Sequence, residues 1–118
     1  MLFRSPDMKV DKSLLSGSTP LLILALLKDE DMYGYQMVSE LAKRSDDTFF
    51  LKEGTLYPLL HTLEKQGWVR SYAKQTPSGR ERKYYHLTSQ GRSQLAQKEA
   101  EWTFFAGKVN AVLGFSPA

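Results

Sequence analysis

Residues 53–88 read EGTLYPLLHTLEKQGWVRSYAKQTPSGRERKYYHLT, and the fold turns on a change of period inside them. Leu56, Leu59, Leu60 and Leu63 recur at i, i+3, i+4 and i+7, the spacing that gathers apolar side chains on one face of an α-helix. The pattern predicts a helix over 53–66. Pro58 sits about one turn in, where its missing N–H costs little, and Gly67 is the stop. Beyond Gly67 the period changes. Residues 69–75 and 82–87, rich in aromatic or β-branched side chains (Val69, Tyr72, Tyr84, Tyr85), predict two strands. Thr76-Pro77-Ser78-Gly79 between them is a turn cluster, so the pair forms a β-hairpin.

Upstream, Tyr33-Gly34-Tyr35 opens a helix to about residue 44, with Tyr35, Val38, Leu41 and Ala42 on one stripe. Ser45-Asp46-Asp47 then breaks it, and Asp29-Glu30-Asp31 connects it to the helix before. That earlier helix spans about 12–28, with a possible break at 16–20, where Thr19 and Pro20 suit an N-cap and first helical position. Its segment 21–27 is apolar on every face, which demands burial on every face and points to a partner chain on one side. Residues 1–11 show no periodicity and read as a mobile arm. Downstream, Thr88 is a good N-cap for a last helix over 89–113. Its Leu95, Trp102 and Val109 fall every seven residues, joined by Phe105, Ala106, Val112 and Leu113. This seam is too long for so small a domain to cover alone. The expected fold is mainly α with a small β-hairpin: an arm at 1–11, a winged helix-turn-helix at 12–88, and a dimerisation helix with a short tail at 89–118.

The 118 residues suit one domain with one modest core. The absence of cysteine excludes a disulfide framework and thiol-ligated metal, and agrees with a cytoplasmic setting. The longest apolar run, 21–27, is far shorter than the roughly 20 residues that cross a bilayer, and no secretion leader precedes it. Neither membrane insertion nor export is expected. Net charge is only +3, but its distribution is uneven. Between residues 52 and 92 eight bases (Lys52, Lys65, Arg70, Lys74, Arg80, Arg82, Lys83, Arg92) face three acids (Glu53, Glu64, Glu81), a local +5.

A helix-turn-helix followed by a hairpin places its second helix in the DNA major groove, with the hairpin as a wing beside it. The outward face of the 53–66 helix offers Lys52, Thr55, Tyr57, Pro58 and His61, whose hydroxyl and imidazole groups bond base edges. The wing tip, with Ser78, Gly79, Arg80, Arg82 and Lys83, presents cations on a slender loop suited to a phosphate backbone or minor groove. Tyr35, at the head of the preceding helix, joins this candidate DNA-binding set. Tyr57 has a second reading, as a side chain that leans on the wing.

These residues resemble the PadR family of bacterial transcriptional regulators. The likeness is carried by 21–27 with Tyr33-Gly34-Tyr35, by 54–60 with Leu63-Glu64 and Gly67, and by Gly79-Arg80, Arg82-Lys83-Tyr84-Tyr85, Leu87-Thr88 and Gly91. It covers about residues 14–113 and is similar to the compact branch with a single C-terminal helix. The resemblance implies a homodimer joined through the first and last helices, repressing from a pseudo-palindromic operator in double-stranded DNA. It further implies release by a small planar aromatic or cationic effector in some members. The dimerisation residues so implied are Leu15, Leu22, Leu26, Leu95, Trp102, Val109 and Val112; the effector residues are Trp102 and Phe105. Trp102 keeps two readings, cavity wall or plain dimer core. Two positions depart from the family: Lys52 stands where a small capping residue is common, and Thr62 where a base is common. A cation at a helix start opposes the dipole by ~0.3–1 kcal/mol, yet can meet a phosphate.

His61 and His86 lack metal-ligand spacing, and no serine or histidine falls in a nucleophile motif, so no metal, cofactor or catalytic residue is expected. The rival function is a winged-helix module that binds protein. It would be expected to carry an apolar or acidic face on the 53–66 helix.

Overall fold

The computed structural model describes residues 8–115; the expectations for 1–7 of the arm and 116–118 of the tail lie outside them. The sequence break at 16–20 is real. α1 (Lys12–Ser16) is capped by Asp11, whose carboxylate accepts from the Ser13 N–H, and α2 (Thr19–Leu26) begins two residues after Gly17. Pro20 lies in the first turn of α2, one residue deeper than expected, because Ser18 takes the capping position. There follow β1 (Met32–Tyr33), α3 (Gly34–Arg44), α4 (Glu53–Lys65), β2 (Val69–Gln75), β3 (Glu81–Leu87) and α5 (Ser89–Leu113).

The strands form one antiparallel sheet in the order β1-β3-β2, with Tyr33 and Tyr72 flanking Tyr84 in register. β1 corrects the sequence expectation of a bare hairpin. Two residues give no alternating pattern to read, and this edge exists only because β3, some 50 residues on, lies beside it. The core is built from Ile23 and Leu24 of α2 and its capping Leu27, Met37 and Leu41 of α3, Leu56, Leu60 and Leu63 of α4, and Val69, Tyr85 and Leu87 of the sheet. Leu95 of α5 closes it.

α4 ends as its sequence demands. Gly67 takes φ +82, its N–H donates to the Glu64 carbonyl, and the Trp68 N–H donates to the Leu63 carbonyl, each at 3.0 Å. These are the two bonds of a Schellman stop, which needs a left-handed residue. Pro58 is less innocuous than one turn in would imply. It is the sixth helical residue, so a bond from position 58 to the Gly54 carbonyl is missing inside the helix.

α5 spans 25 residues, roughly 37 Å, and only its first turns pack against α2 and the sheet. The radius of gyration, 16.2 Å, exceeds the roughly 13.5 Å of a compact chain of this length because the rest of α5 projects.

Candidate nucleic-acid interface

Residues 45–52, between α3 and α4, are anchored at several points. Ser45 Oγ donates to the Leu41 carbonyl at 2.8 Å and accepts from the Phe49 N–H at 2.9 Å. Asp46 and Asp47 take left-handed φ of 51° and 61°, a conformation aspartate tolerates better than most residues. Leu51 then enters the core, which sets the rotation of α4. Leu56, Leu60 and Leu63 turn inward, Leu59 is half-buried, and Lys52, Thr55, Tyr57, Pro58, His61 and Thr62 face solvent. Lys52 is the residue before the first helical turn, and its side chain makes no capping bond.

Tyr57 leans on the start of α3. Its ring lies over Gly34 so closely that a β-carbon there would overlap the hydroxyl and stand 2.7 Å from Cζ. Burial, followed by the Glu53 carboxylate, pushes the phenol above its ordinary value, with Lys83 pulling the other way. At neutral pH the hydroxyl is therefore protonated and can donate. Of the stripe expected on α3, Leu41 is buried and Val38 and Ala42 are half-buried, but Tyr35 is 64% exposed, and Gly34 and Met37 are buried in its stead. With Phe50, equally exposed in the connection, Tyr35 lines a shallow groove on the outer side of α3. Phe50 carried no periodic signal, and only the folded turn brings it beside Tyr35.

The wing splits its cations between two faces, because strand side chains alternate. Lys83 shares the inner face with Tyr85 and Leu87, its ammonium 5.7 Å from the Tyr85 ring. Arg82, its neighbour in sequence, lies on the outer face, 4.4 Å from the Tyr33 ring, and Lys74 lies 5.4 Å from the Tyr84 ring. Arg82 and Lys83, expected at the wing tip, are thus strand residues of β3 on opposite faces. At the tip the Gly79 N–H donates to the Thr76 carbonyl and Gly79 takes φ +84, which leaves Ser78, Gly79 and Arg80 exposed at the turn. Arg92, one of the eight bases, instead donates to the Lys28 carbonyl just past α2.

The second candidate surface lies on α5. Trp102, Phe105, Val109 and Val112 are all exposed, from 38% at Val109 to 87% at Val112. Trp102 and Phe105, ring centres 6.0 Å apart, join Leu14, Leu15 and Leu21 around an open groove of about 620 Å³, with Lys98 and Glu101 at its edge. Leu15 and Leu22 are half-buried. Two of the expected dimerisation residues do not belong to this surface: Leu26 and Leu95, each 3% exposed, are consumed by the chain's own core. A seven-residue spacing cannot tell which member of a seam the first turns of α5 will bury. Among the described residues no group of His, Asp or Glu could hold a metal ion, and no helix is long and apolar enough to cross a membrane.

Helices α3 and α4 with a flanking sheet hairpin define a winged-helix protein, and the long α5 places it in one branch of that class. Residues 23–97 match the Transcriptional regulator PadR-like family. A PadR-family transcriptional regulator from Eggerthella lenta superposes with a TM-score of 0.77 at 33% identity, covering 86% of this chain and 87% of that one. A PadR-family transcription regulator from Clostridium difficile gives 0.73 at 36% identity, covering 82% and 99%. An uncharacterized protein of Lysinibacillus sphaericus is 34% identical over 93 residues, 79% of this chain and 85% of its own. The chain belongs to the PadR-like family of transcriptional regulators.

Proposed function

We propose that the chain is a cytoplasmic, sequence-specific DNA-binding repressor that acts as a homodimer and is released by a small effector. The observation that carries this reading is the outward face of α4. Thr55, Tyr57 and His61 stand exposed on it, opposite the buried leucines, with Lys83 on the adjoining face of the wing and Arg80 at its tip. That is an array of base-edge donors beside phosphate-seeking cations, and it is neither apolar nor acidic. The exposed apolar side of α5, together with the half-buried Leu15 and Leu22, supports a second copy as the partner. The division into an arm, a winged domain at 12–88 and a dimerisation helix from residue 89 is part of the same proposal. Two α4 helices held by that dimer would meet successive major grooves about 34 Å apart.

The groove beside Trp102 and Phe105 is the proposed effector site, suited to a planar aromatic or cationic compound by its two rings and the neighbouring Glu101. An effector there weakens DNA binding only as far as it prefers one dimer shape over another. The test is titration of the purified protein onto mixed genomic fragments at two salt concentrations. Retention of fragments holding an inverted repeat at the higher salt is the expected result. Weak binding that vanishes with salt would favour the protein-interaction module instead.

A further inference from the structure

Two carboxylates grip the wing from opposite faces, and neither belongs to the proposed DNA-contact set. On the inner face Glu64, in the last turn of α4, accepts through Oε2 from both the Ser71 N–H (3.2 Å) and the Ser71 hydroxyl (2.6 Å). On the outer face Asp31, just before β1, accepts the Tyr72 hydroxyl at 2.6 Å and pairs with His86 Nδ1 at 2.8 Å. Ser71 and Tyr72 are consecutive in β2, so both clamps hold one point of the hairpin. The Tyr72 ring stacks on Tyr84 and Tyr33 meets Tyr84 edge-on, with centroids 5.8 and 5.4 Å apart, which carries the outer clamp across all three strands. Tyr72 and Tyr84 turn one face to each other, and Arg82 lies over the Tyr33 ring.

Past the clamps the hairpin is a cantilever. Residues 73–75 and 81–83 are exposed on both strands, and Arg80 lies at the far end. Four strand residues follow Ser71 before the turn begins at Thr76, five steps or about 16 Å, so a tilt of roughly 10° at the root moves the tip by about 3 Å. That displacement is as long as a hydrogen bond.

We propose that Glu64 and Asp31 are positioning residues for DNA recognition, which together set the angle between wing and α4 and hence the span from Arg80 on the phosphates to Thr55 and Tyr57 on the bases. The proposal rests on the DNA-binding reading above. Its test compares affinity for an operator fragment, recovered by the genomic titration, with affinity for a random duplex of equal length, using the full chain. Glu64→Ala and Asp31→Ala are each expected to lower operator affinity about tenfold, the scale of a lost charge-assisted bond. Random-duplex affinity does not fall, because each variant removes a negative charge and no cation. Glu64→Gln is expected to restore discrimination, since one oxygen takes both Ser71 bonds and an amide carbonyl can do the same. Should Glu64→Ala not fold, Ser71→Ala removes only the 2.6 Å bond and must lower the same ratio. Alanine variants that discriminate like wild type, or that lose both duplexes equally without rescue by glutamine, overturn the proposal and leave the DNA reading standing. A wild-type protein that cannot tell operator from random duplex overturns the DNA reading, and the proposal falls with it.

Discussion

Replacing wing cations two at a time separates the two faces of the hairpin. Arg80 lies at the tip and Lys83 on the inner face, the two cations that the proposed DNA-binding reading sets on phosphates, whereas Lys74 and Arg82 lie over tyrosine rings on the outer face. Each phosphate neutralised on duplex DNA contributes about 0.9 to the slope of log affinity against log salt. Arg80→Ala with Lys83→Ala is therefore expected to flatten that slope by about 1.8. Between about 50 and 200 mM salt, a fourfold range, the variant escapes roughly twelvefold of the wild-type loss. Lys74→Ala with Arg82→Ala removes the same charge and is expected to flatten the slope by less than about 0.5. Contact of an exposed cation with a ring is worth only ~0.5–1 kcal/mol, so both variants should remain folded, which circular dichroism can verify. Slopes come from fluorescence anisotropy on a labelled duplex at four or more salt concentrations. Equal flattening by both pairs would refute the division of faces, and no flattening by the first pair would remove the wing from the DNA altogether.

Four further outcomes are expected. Gly34→Ala drives a β-carbon into the Tyr57 ring, which is 43% exposed and can swing outward, so operator affinity should fall in this variant and in Tyr57→Ala alike. The double variant should lose no more than either single one, and additive losses would show that Tyr57 is not what Gly34 positions. Gly91→Ala places a β-carbon against the Trp68 backbone carbonyl, where nothing flexible can yield, at a cost of roughly 1–3 kcal/mol read from urea unfolding; an unchanged midpoint would show that this contact relaxes freely. Trp102→Ala should leave the fold and DNA affinity intact but abolish the effector response, since the ring is half exposed in one chain; a monomeric product in sedimentation would assign Trp102 to the dimer core.

The fourth outcome concerns acid. Burial pushes Asp31 up, but the Tyr72 hydroxyl and the His86 ring outweigh it, and the Ser71 hydroxyl lowers Glu64. Both carboxyls thus sit below their ordinary values of 3.8 and 4.5, so the stability they add is complete above those values and drains as pH falls through the lowered ones. The urea midpoint of wild type should therefore fall more between about pH 5 and pH 3 than that of Asp31→Ala with Glu64→Ala; parallel curves would contradict the clamps.

Periodicity decided the helices that begin at residues 53 and 89, the first read one residue longer than it is, the stop at Gly67 and the hairpin at 69–87, because each depends on neighbours within a few residues of the chain. The outward face of α4 was legible for the same reason: once its leucine stripe is known, Thr55, Tyr57 and His61 have nowhere else to point. Contacts between distant segments were not legible. β1 exists only against β3, and Asp31, which as sequence looks like one acid of a solvated run, becomes a clamp only because Tyr72 and His86 fold back onto it from 41 and 55 residues away. Leu26 and Leu95 share the apolar pattern of a seam, yet tertiary packing spent them on one chain's core and left Trp102, Phe105, Val109 and Val112 uncovered. The division of Arg82 from Lys83 follows from strand alternation, but which face meets α4 was set by the burial of Tyr85 and Leu87. Local spacing determines which side of an element is apolar, and only the assembled fold determines what covers it.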